Sequence, residues 1–525
     1  MKRYLLKRIL FSLFALFVVV GTVMILVYSL IDRELIFVGD PNITKRNNNE
    51  LVVYKVQQYQ KYGYLDYYPF SSYLDKTFKE EKGEGYSKAD PEYVEAINCI
   101  YSPETYASNK YVQGFTSYYA KRGFKVTYLA PKYGGATSTG LISNAYLYAT
   151  KDINVVVRMF KYFGSMFEFE TINDVKDENL TDRYIRWEWD KRSNMPALVG
   201  SGTKHKYLIY FDNKFPFVHQ NIFRFNLGKS YVVYRDMDII EVFNQSSGSS
   251  YATMQEYPSE LGTGIKHSTS YDYHTVVYNP GELSEIELTM FNDRYTQASM
   301  QKLGMSRMQN SFVIGIIATI FTYIIGLPLG ILMALKKDKI PDKIGNLYII
   351  FIIAVPSLAY IFMFASIGMN LFNLPYKYAT ATVKFFAYIL PTISLTLPAA
   401  GGLMKWMRRY MIDQMNSDYV KFARSQGLSE GEIFSKHISP NAFIFLVHGV
   451  PADILGALTG AIITERVYGM PGVGGLLTDA INGHDNGVIV AMTLFYTTLT
   501  IISLIAGDLL LAKYDPRISF TEGGN

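Results

Sequence analysis

The apolar residues of this chain are collected into long runs, and that segregation limits what the chain can fold into more than any other feature. Residues 9–31 are 23 consecutive positions without a charge. As a helix they extend about 34 Å, enough to cross a hydrocarbon core of roughly 30 Å. Five further apolar stretches follow beyond residue 310, at about 311–335, 346–369, 385–404, 443–464 and 487–512. The pattern predicts six membrane spans. A mean hydropathy of only +0.06 conceals them, because the 279 residues of 32–310 contain no comparable run.

The charges orient these spans. Lys2, Arg3, Lys7 and Arg8 precede the first run, and the positive-inside rule keeps them in the cytoplasm. Alternating placement then puts residues 336–343, 405–436 and the tail after Lys513, all rich in Lys and Arg, on that same side. A secretory signal peptide is the competing explanation of residues 9–31. Its apolar core is about 7–15 residues and ends at a small-x-small cleavage site, whereas this run is longer and leaves through Tyr28-Ser-Leu-Ile-Asp-Arg33. An uncleaved anchor fits better.

Topology therefore places residues 32–310 outside the cell. They hold 32 Lys and Arg against 33 Asp and Glu, a net of −1, so the remaining segments carry +6 within a chain total of +5. The basic excess belongs to cytoplasmic faces and does not signal nucleic acid. The outer block also holds 30 of the 43 tyrosines. Stretches such as Tyr207-Leu-Ile-Tyr-Phe211 and Tyr231-Val-Val-Tyr234 have strand-forming composition, residues 92–100 suit a helix, and residues 133–140 and 244–250 suit loops. An α+β domain is expected, with most tyrosines in its core.

Catalytic signatures are absent. No GxxxxGK[ST] phosphate loop occurs; Gly200-Ser-Gly-Thr-Lys204 has the wrong spacing and lies in the outer block. His205, His219, His267 and His274 share that block without a zinc-ligand spacing. The single cysteine, Cys99, excludes a disulfide framework within the chain. Any ATPase must come from a partner, and no metal site is expected.

Two segments carry a more specific pattern. Residues 408–440 include Asp418-Tyr-Val-Lys-Phe-Ala-Arg-Ser-Gln-Gly-Leu-Ser-Glu430, followed by His437-Ile-Ser-Pro-Asn-Ala442. This predicts two short amphipathic helices broken near Gly427, where glycine supplies the permissive backbone a tight reversal needs. Ala423, Leu428 and Phe434 are the residues such helices would present. The second segment is Glu465-Arg-Val-Tyr-Gly-Met-Pro-Gly-Val-Gly-Gly-Leu-Leu-Thr-Asp-Ala-Ile481. Between them Asp453 falls about ten residues into the fifth run. A lipid-facing carboxylate there costs about 2.5–3.5 kcal/mol, so it should face the interior, as a pathway residue or as a helix contact. Asp508 sits nearer the cytoplasmic end, where it would anchor a helix.

These runs, with Lys2-Arg-Tyr-Leu-Leu-Lys-Arg-Ile9, Gly326-Leu-Pro-Leu-Gly330 and Ala334, and Asp508 with Asp515-Pro-Arg-Ile518, resemble the permeases of bacterial oligopeptide and dipeptide ABC importers. Ala423, Gly427 and Pro440 stand at the alanine, glycine and proline positions of that family's coupling loop. Lys421 departs from its general motif, which has glutamate, and His437 departs where isoleucine is common. Tyr419, Ala423, Arg424, Gly427, Leu428, His437 and Asn441 fit the narrower peptide-importer pattern. The long outer block, with Leu198-Val-Gly-Ser-Gly-Thr-Lys-His-Lys206 and Phe215-Pro-Phe-Val-His-Gln220, resembles the enlarged loop of streptococcal Ami-type oligopeptide permeases.

The resemblance implies a membrane all-α fold: a six-helix ABC type I importer permease bundle with a large extracytoplasmic α+β insert between helices 1 and 2. The divisions would be 1–31, 32–310 and 311–525, with a coupling loop at 405–442. It further implies a non-enzymatic subunit forming half of an oligopeptide pathway, paired with a second homologous permease, two ABC ATPase subunits and an extracellular peptide-binding lipoprotein. Peptide and membrane lipid would be its other contacts. The chain would bind no cofactor, ATP and Mg being used by the partners. Ala423, Arg424, Gly427, Leu428 and Pro440 would mark the ATPase-coupling loop, with Ala423, Gly427 and Leu428 as its contact residues, and Asp453 is the candidate for the translocation pathway. Glu465, Pro471, Gly472, Gly474, Asp479, Asp508, Asp515, Pro516 and Arg517 would form the family signature. The location would be a Gram-positive cell membrane, both termini cytoplasmic. Alternatives are a related importer for nickel or an oligosaccharide, or a membrane-anchored ligand sensor.

Overall fold

A computed structural model describes residues 2–169 apart from 47, 84–86, 105 and 135–139, the segments 185–190, 195–200, 206–208, 219–221, 223–244, 254–256 and 265–267, and residues 305–514. The chain begins with α1 (Lys2–Leu30), whose Phe11 and Phe14 side chains stay 72% and 67% exposed. So much apolar surface on one helix requires lipid or a partner.

Met24–Met166 is one unit of the chain. Its sheet has the order β1 (Leu65–Pro69), β3 (Tyr146–Asp152), β2 (Lys125–Leu129), antiparallel throughout, with Tyr67 opposite Thr150 and Thr127 opposite Tyr148. In α2 (Phe70–Lys82) the apolar residues Phe70, Leu74 and Phe78 recur every fourth position, so one face is buried. That face meets Phe115 and Tyr119 of α4 (Lys110–Ala120), Tyr93 of α3 (Pro91–Asn98) and Ala149 of β3. Asp90 and Asn109 cap α3 and α4 by accepting the Glu92 and Tyr111 N–H groups at 3.3 and 2.9 Å.

Tyr68 and Tyr133 are exposed and several of the block's tyrosines lie outside the described residues, but Tyr93 and Tyr111 are buried in this core. Their hydroxyls find acceptors, Tyr93 on Asp75 at 2.7 Å and Tyr111 on Glu92 at 3.0 Å, as buried phenols require. The Lys82 ammonium, 2.9 Å from both Asp90 and Glu92, holds their carboxyls below the usual carboxylate range. Burial pushes the Cys99 thiol up to about 11, so it stays a thiol and is no nucleophile at neutral pH.

The other unit, Met1–Val23 with Phe167–Asn525, contains the apolar helices. They are α6 (Arg307–Leu335), α7 (Ile340–Ala354), α8 (Ser357–Phe372) and α9 (Ile389–Met415), then α10 (Asp418–Ser425), α11 (Glu430–Ile433), α12 (Ser439–Val447), α13 (Val450–Tyr468), α14 (Val473–Asn482) and α15 (Asn486–Tyr514), preceded by the short α5 (Ile239–Asn244). Gly326, Gly330 and Ala334 make a small-residue stripe on α6 that lets α9 approach closely. A Cβ at Gly330 would stand 2.8 Å from Met407 Cβ, and one at Gly326 3.0 Å from Leu403 Cδ2. The motif read in the sequence is thus a helix contact.

Two of the six expected spans are not straight helices. The stretch 346–369 straddles a 113° bend between α7 and α8. Pro356 forces Val355 into an extended conformation, φ −86° and ψ 129°, which ends α7. Both halves are equally apolar, so hydropathy alone reads through the break. The stretch 443–464 likewise spans a 45° bend between α12 and α13, beside Gly449 and Pro451. Among the described residues four single helices are long and apolar enough to cross a membrane, or up to six if each bent pair counts as one span.

Within 32–310 the residues to Met166 belong to the first unit and those from Phe167 onward to the other. One expectation for this block needs correction. Tyr231 to Tyr234 form bends and turns and no strand, because the first three of their N–H groups converge on a side chain described below and that of Tyr234 donates to Ser230 Oγ at 2.8 Å. Residues 209–211 and 245–250 lie outside the described residues.

Candidate functional site

The loop between α9 and α12 folds as its pattern predicts. Val420 and Ala423 lie on one face of α10 and are buried with Ile433, Ile438 and Ala442 against Ala334, Met407 and Met411. Gly427 reverses the chain at φ +80°, a left-handed conformation that costs a side-chain-bearing residue roughly 1–2 kcal/mol. Ser429 and Glu432 then form a capping box that starts α11. Asn441 Nδ2 donates to the His437 carbonyl at 2.7 Å, and Tyr419 Oη donates to it at 3.3 Å, tying the two ends of the loop together. Pro440 sits in the first turn of α12, where a missing N–H costs nothing.

This corrects one expectation. Ala423 points into the loop's own core, and Leu428 packs partly against it. The outward face is Phe422, 63% exposed, with Arg424, Ser425, Gln426 and Gly427. Arg424 is held by Glu430 through Nε–Oε1 and Nη2–Oε2 bonds of 2.8 and 3.2 Å. Lys421 pairs with Asp418 at 2.8 Å and holds that carboxyl below the usual range. The helical period that buries 420 and 423 could have assigned Phe422 to the free face.

The 465–479 segment is a clasp. Gly469 ends α13 in the left-handed region at φ +62°, and the chain turns back through Pro471 and Gly472 into α14. Glu465 is buried. Its carboxylate accepts Ser311 Oγ at 2.5 Å and the Gly475 N–H at 3.1 Å, so it caps the N-terminus of α14 from the helix before it. Ser311 Oγ in turn accepts the Val473 N–H at 2.9 Å, and Asn310 Nδ2 donates to the Pro471 carbonyl at 2.8 Å. A Cβ at Gly472 would overlap the Glu465 carboxylate, and one at Gly474 would stand 2.6 Å from Ile462 Cα. Arg466 reaches Asp479 at 2.5 Å. Glu465, Pro471, Gly472, Gly474 and Asp479 thus form one structure, bound to the start of α6.

A cavity of about 660 Å³ lies among α6, α8, α9, α12 and α13. It follows α9 from Ser394 to Tyr410, a length of about 24 Å. Thr319, Thr322, Ser357 and Ser394 give it polar walls, and Asp453 is the one charged side chain lining it among the described residues. Tyr323 Oη donates to Asp453 Oδ2 at 2.6 Å. Asp453 is exposed and opens onto this cavity.

Sequence similarity agrees with this arrangement. Residues 326–520 match the family of binding-protein-dependent transport system inner membrane components. Along its whole length the chain is 32% identical to the oligopeptide transport system permease protein AmiC of Streptococcus pneumoniae, 100% of both chains being covered. The chain belongs to the binding-protein-dependent transport permeases. It is also 29% identical to the dipeptide permease DppB of Lactococcus lactis over 43% of this chain and 73% of that one. Among solved structures an amino acid ABC transporter chain is similar over 40% of this chain and 92% of that one, with 16% identity and a TM-score of 0.32.

The permease is a multi-pass membrane protein and a transport subunit, not an enzyme; it works with a binding protein and with ATPase subunits. Three anchors hold its fold, and two of them, at Asp342 and Asp485, were not foreseen. Asp342, buried at the start of α7, accepts Arg408 Nε and Nη2 at 2.6 and 2.7 Å, the Asp338 N–H at 2.9 Å and Asn346 Nδ2 at 3.1 Å. This clamp fixes the 336–343 turn to the end of α9 that leads into the loop. Arg8 of α1 lies 3.2 Å from Asp508 of α15, so Asp508 does anchor a helix. Asp515, Pro516 and Arg517 lie outside the described residues.

The third anchor is Asp485, buried between α14 and α15. It accepts Ser230 Oγ at 2.6 Å and the N–H groups of Tyr231, Val232 and Val233 at 2.9 Å each. A run of N–H groups around one carboxylate replaces the strand expected there. Gly487 is required beside it, since a Cβ would overlap the Lys229 carbonyl. Phe243 of α5 packs on Phe495 of α15 at 5.6 Å. Partners more than 250 residues apart left only one local clue, Asp485 one residue before a helix.

Proposed function

We propose that the permease forms half of the pathway by which an ATP-binding-cassette importer brings oligopeptides into the cell. The observation that carries this reading is the full-length similarity to an oligopeptide permease. The cavity along α9 is its share of the pathway, and Asp453 lines it. The other half comes from a second homologous permease, and two ATPase subunits supply ATP hydrolysis with Mg. This chain binds no cofactor itself. An extracellular peptide-binding lipoprotein delivers the substrate, with residues about 32–310 outside the cell, both termini in the cytoplasm and a Gram-positive host. Deleting this chain from cells auxotrophic for leucine should abolish growth on leucine-containing tetrapeptides and spare growth on free leucine. Equal growth on both in the deletion strain would contradict the reading.

The loop at 405–442 couples this pathway to an ATPase, through the face of Phe422, Arg424 and Gly427 with Leu428 behind it. Closure of the ATPases then tilts the helices joined to the loop as rigid bodies. Open space surrounds Gly427, so Gly427→Leu strains only the backbone and obstructs only a partner. Membrane insertion should be unchanged and peptide uptake lost. Normal uptake by this variant would remove the loop from the coupling route.

A further inference from the structure

From the cavity geometry we infer that Asp453 receives the N-terminal ammonium of a peptide in transit while an aromatic ladder two helical turns away receives a side chain near its third residue. The inference rests on the peptide reading above and adds the orientation and minimum length of the substrate.

Asp453 lines a cavity whose other described walls carry no charge, and Tyr323 gives it one hydrogen bond. A carboxylate offers about four lone-pair sites, so acceptor capacity remains for a primary ammonium with its three donors. Every peptide with a free N-terminus supplies that group, whatever its sequence. A peptide's carboxylate is repelled by the same position.

The ladder is the second observation. Trp406 and Tyr410 of α9 stack at 5.7 Å with 25° between their planes, and Tyr410 stacks on Phe445 of α12 at 5.1 Å and 25°. All three line the cavity, and Trp406 and Phe445 are 45% and 52% exposed. A core cluster would be covered; these rings form an open apolar wall. Phe445 of α12 and Asp453 of α13 open onto this one cavity from either side of the 45° bend. Eight residues at 1.5 Å rise place them at most about 12 Å apart along the helix pair.

An extended chain advances about 3.3–3.6 Å per residue. A peptide with its ammonium on Asp453 therefore brings its third or fourth side chain to the ladder. A dipeptide cannot occupy both places. The ladder lies on the side of Asp453 nearer the 416–438 loop, so the C-terminus leads.

The test uses the complete importer, reconstituted in vesicles with its ATPases, second permease and binding protein. Uptake of a tetrapeptide is compared with that of its N-acetylated form, and uptake of a tetrapeptide with Phe at position three with one bearing Ala there. Ratios are taken within each variant, so selection by the binding protein cancels. In the unaltered importer the free form should be favoured, and Asp453→Asn should reduce that ratio about tenfold while leaving the Phe-to-Ala ratio intact. Trp406→Ala should do the reverse. Tyr323→Phe, which removes one hydroxyl, should reduce the ammonium ratio by a smaller factor and serves if Asp453→Asn does not assemble. Unchanged ratios in Tyr323→Phe and Trp406→Ala would overturn the inference. Failure of the unaltered importer to take up any peptide would instead overturn the function proposed above.

Discussion

Gly472→Ala should prevent the permease from accumulating in the membrane in its native form. The added methyl group occupies the position of the Glu465 carboxylate, which cannot retreat because Ser311 and the α14 N-terminus hold it. Overpacking of this kind costs about 1–3 kcal/mol. Displacing the carboxylate adds about 1–3 kcal/mol for each buried N–H left without a partner. The total is a large share of the roughly 5–15 kcal/mol by which a folded domain is stable. Detergent-solubilised variant protein should aggregate at temperatures where the unaltered chain remains monodisperse, and Gly475→Ala is the control. A Cβ at Gly475 meets nothing nearer than the Met470 carbonyl at 3.9 Å, so that variant should behave like the unaltered chain. Equal stability of both variants would mean that the clasp is looser than described.

Asp342→Ala should be nearly as damaging, for an electrostatic reason. It leaves Arg408 without the two bonds of 2.6 and 2.7 Å that neutralise it. Breaking a buried pair by removing one partner costs about 3–5 kcal/mol; the partly exposed arginine, at 23%, places this case toward the lower end. Restoring neutrality with Asp342→Ala and Arg408→Met together should recover much of the loss. The effect is read as thermal stability of the purified protein and as protease sensitivity of the 405–442 loop. A double variant no better than the single one would show that the backbone contacts of Asp342, not its charge, hold the turn.

The two clamps also show what a sequence discloses and what it does not. Gly427 was legible because a positive φ leaves its own mark on the local sequence, a glycine between two amphipathic segments. The 465–479 segment was legible as a motif, but its mechanism was not, since the contact that makes Gly472 obligatory is with a carboxylate seven residues earlier in another helix. Ala423 was placed on the wrong side because a family position says that a residue is constrained and not by what; here its own loop constrains it. The bend at Pro356 was visible as a proline and yet read as continuous, because hydropathy weighs side chains and ignores φ and ψ. Asp342 with Arg408, and Asp485 with Ser230, were invisible for a plainer reason. Each pairs residues 66 or 255 positions apart, and beyond an aspartate at a helix start nothing local in a single sequence records such a contact.

The central proposal is that this chain forms half of the oligopeptide pathway of an ATP-driven importer. The most direct measurement is uptake of a labelled tetrapeptide into vesicles containing the reconstituted complex, with ATP or with a non-hydrolysable analogue inside the accessible compartment of the ATPases. Accumulation above the external concentration that requires hydrolysis, and disappears with Gly427→Leu, is the predicted result. Accumulation of nickel or an oligosaccharide in place of the peptide, or peptide movement indifferent to ATP hydrolysis, would contradict it.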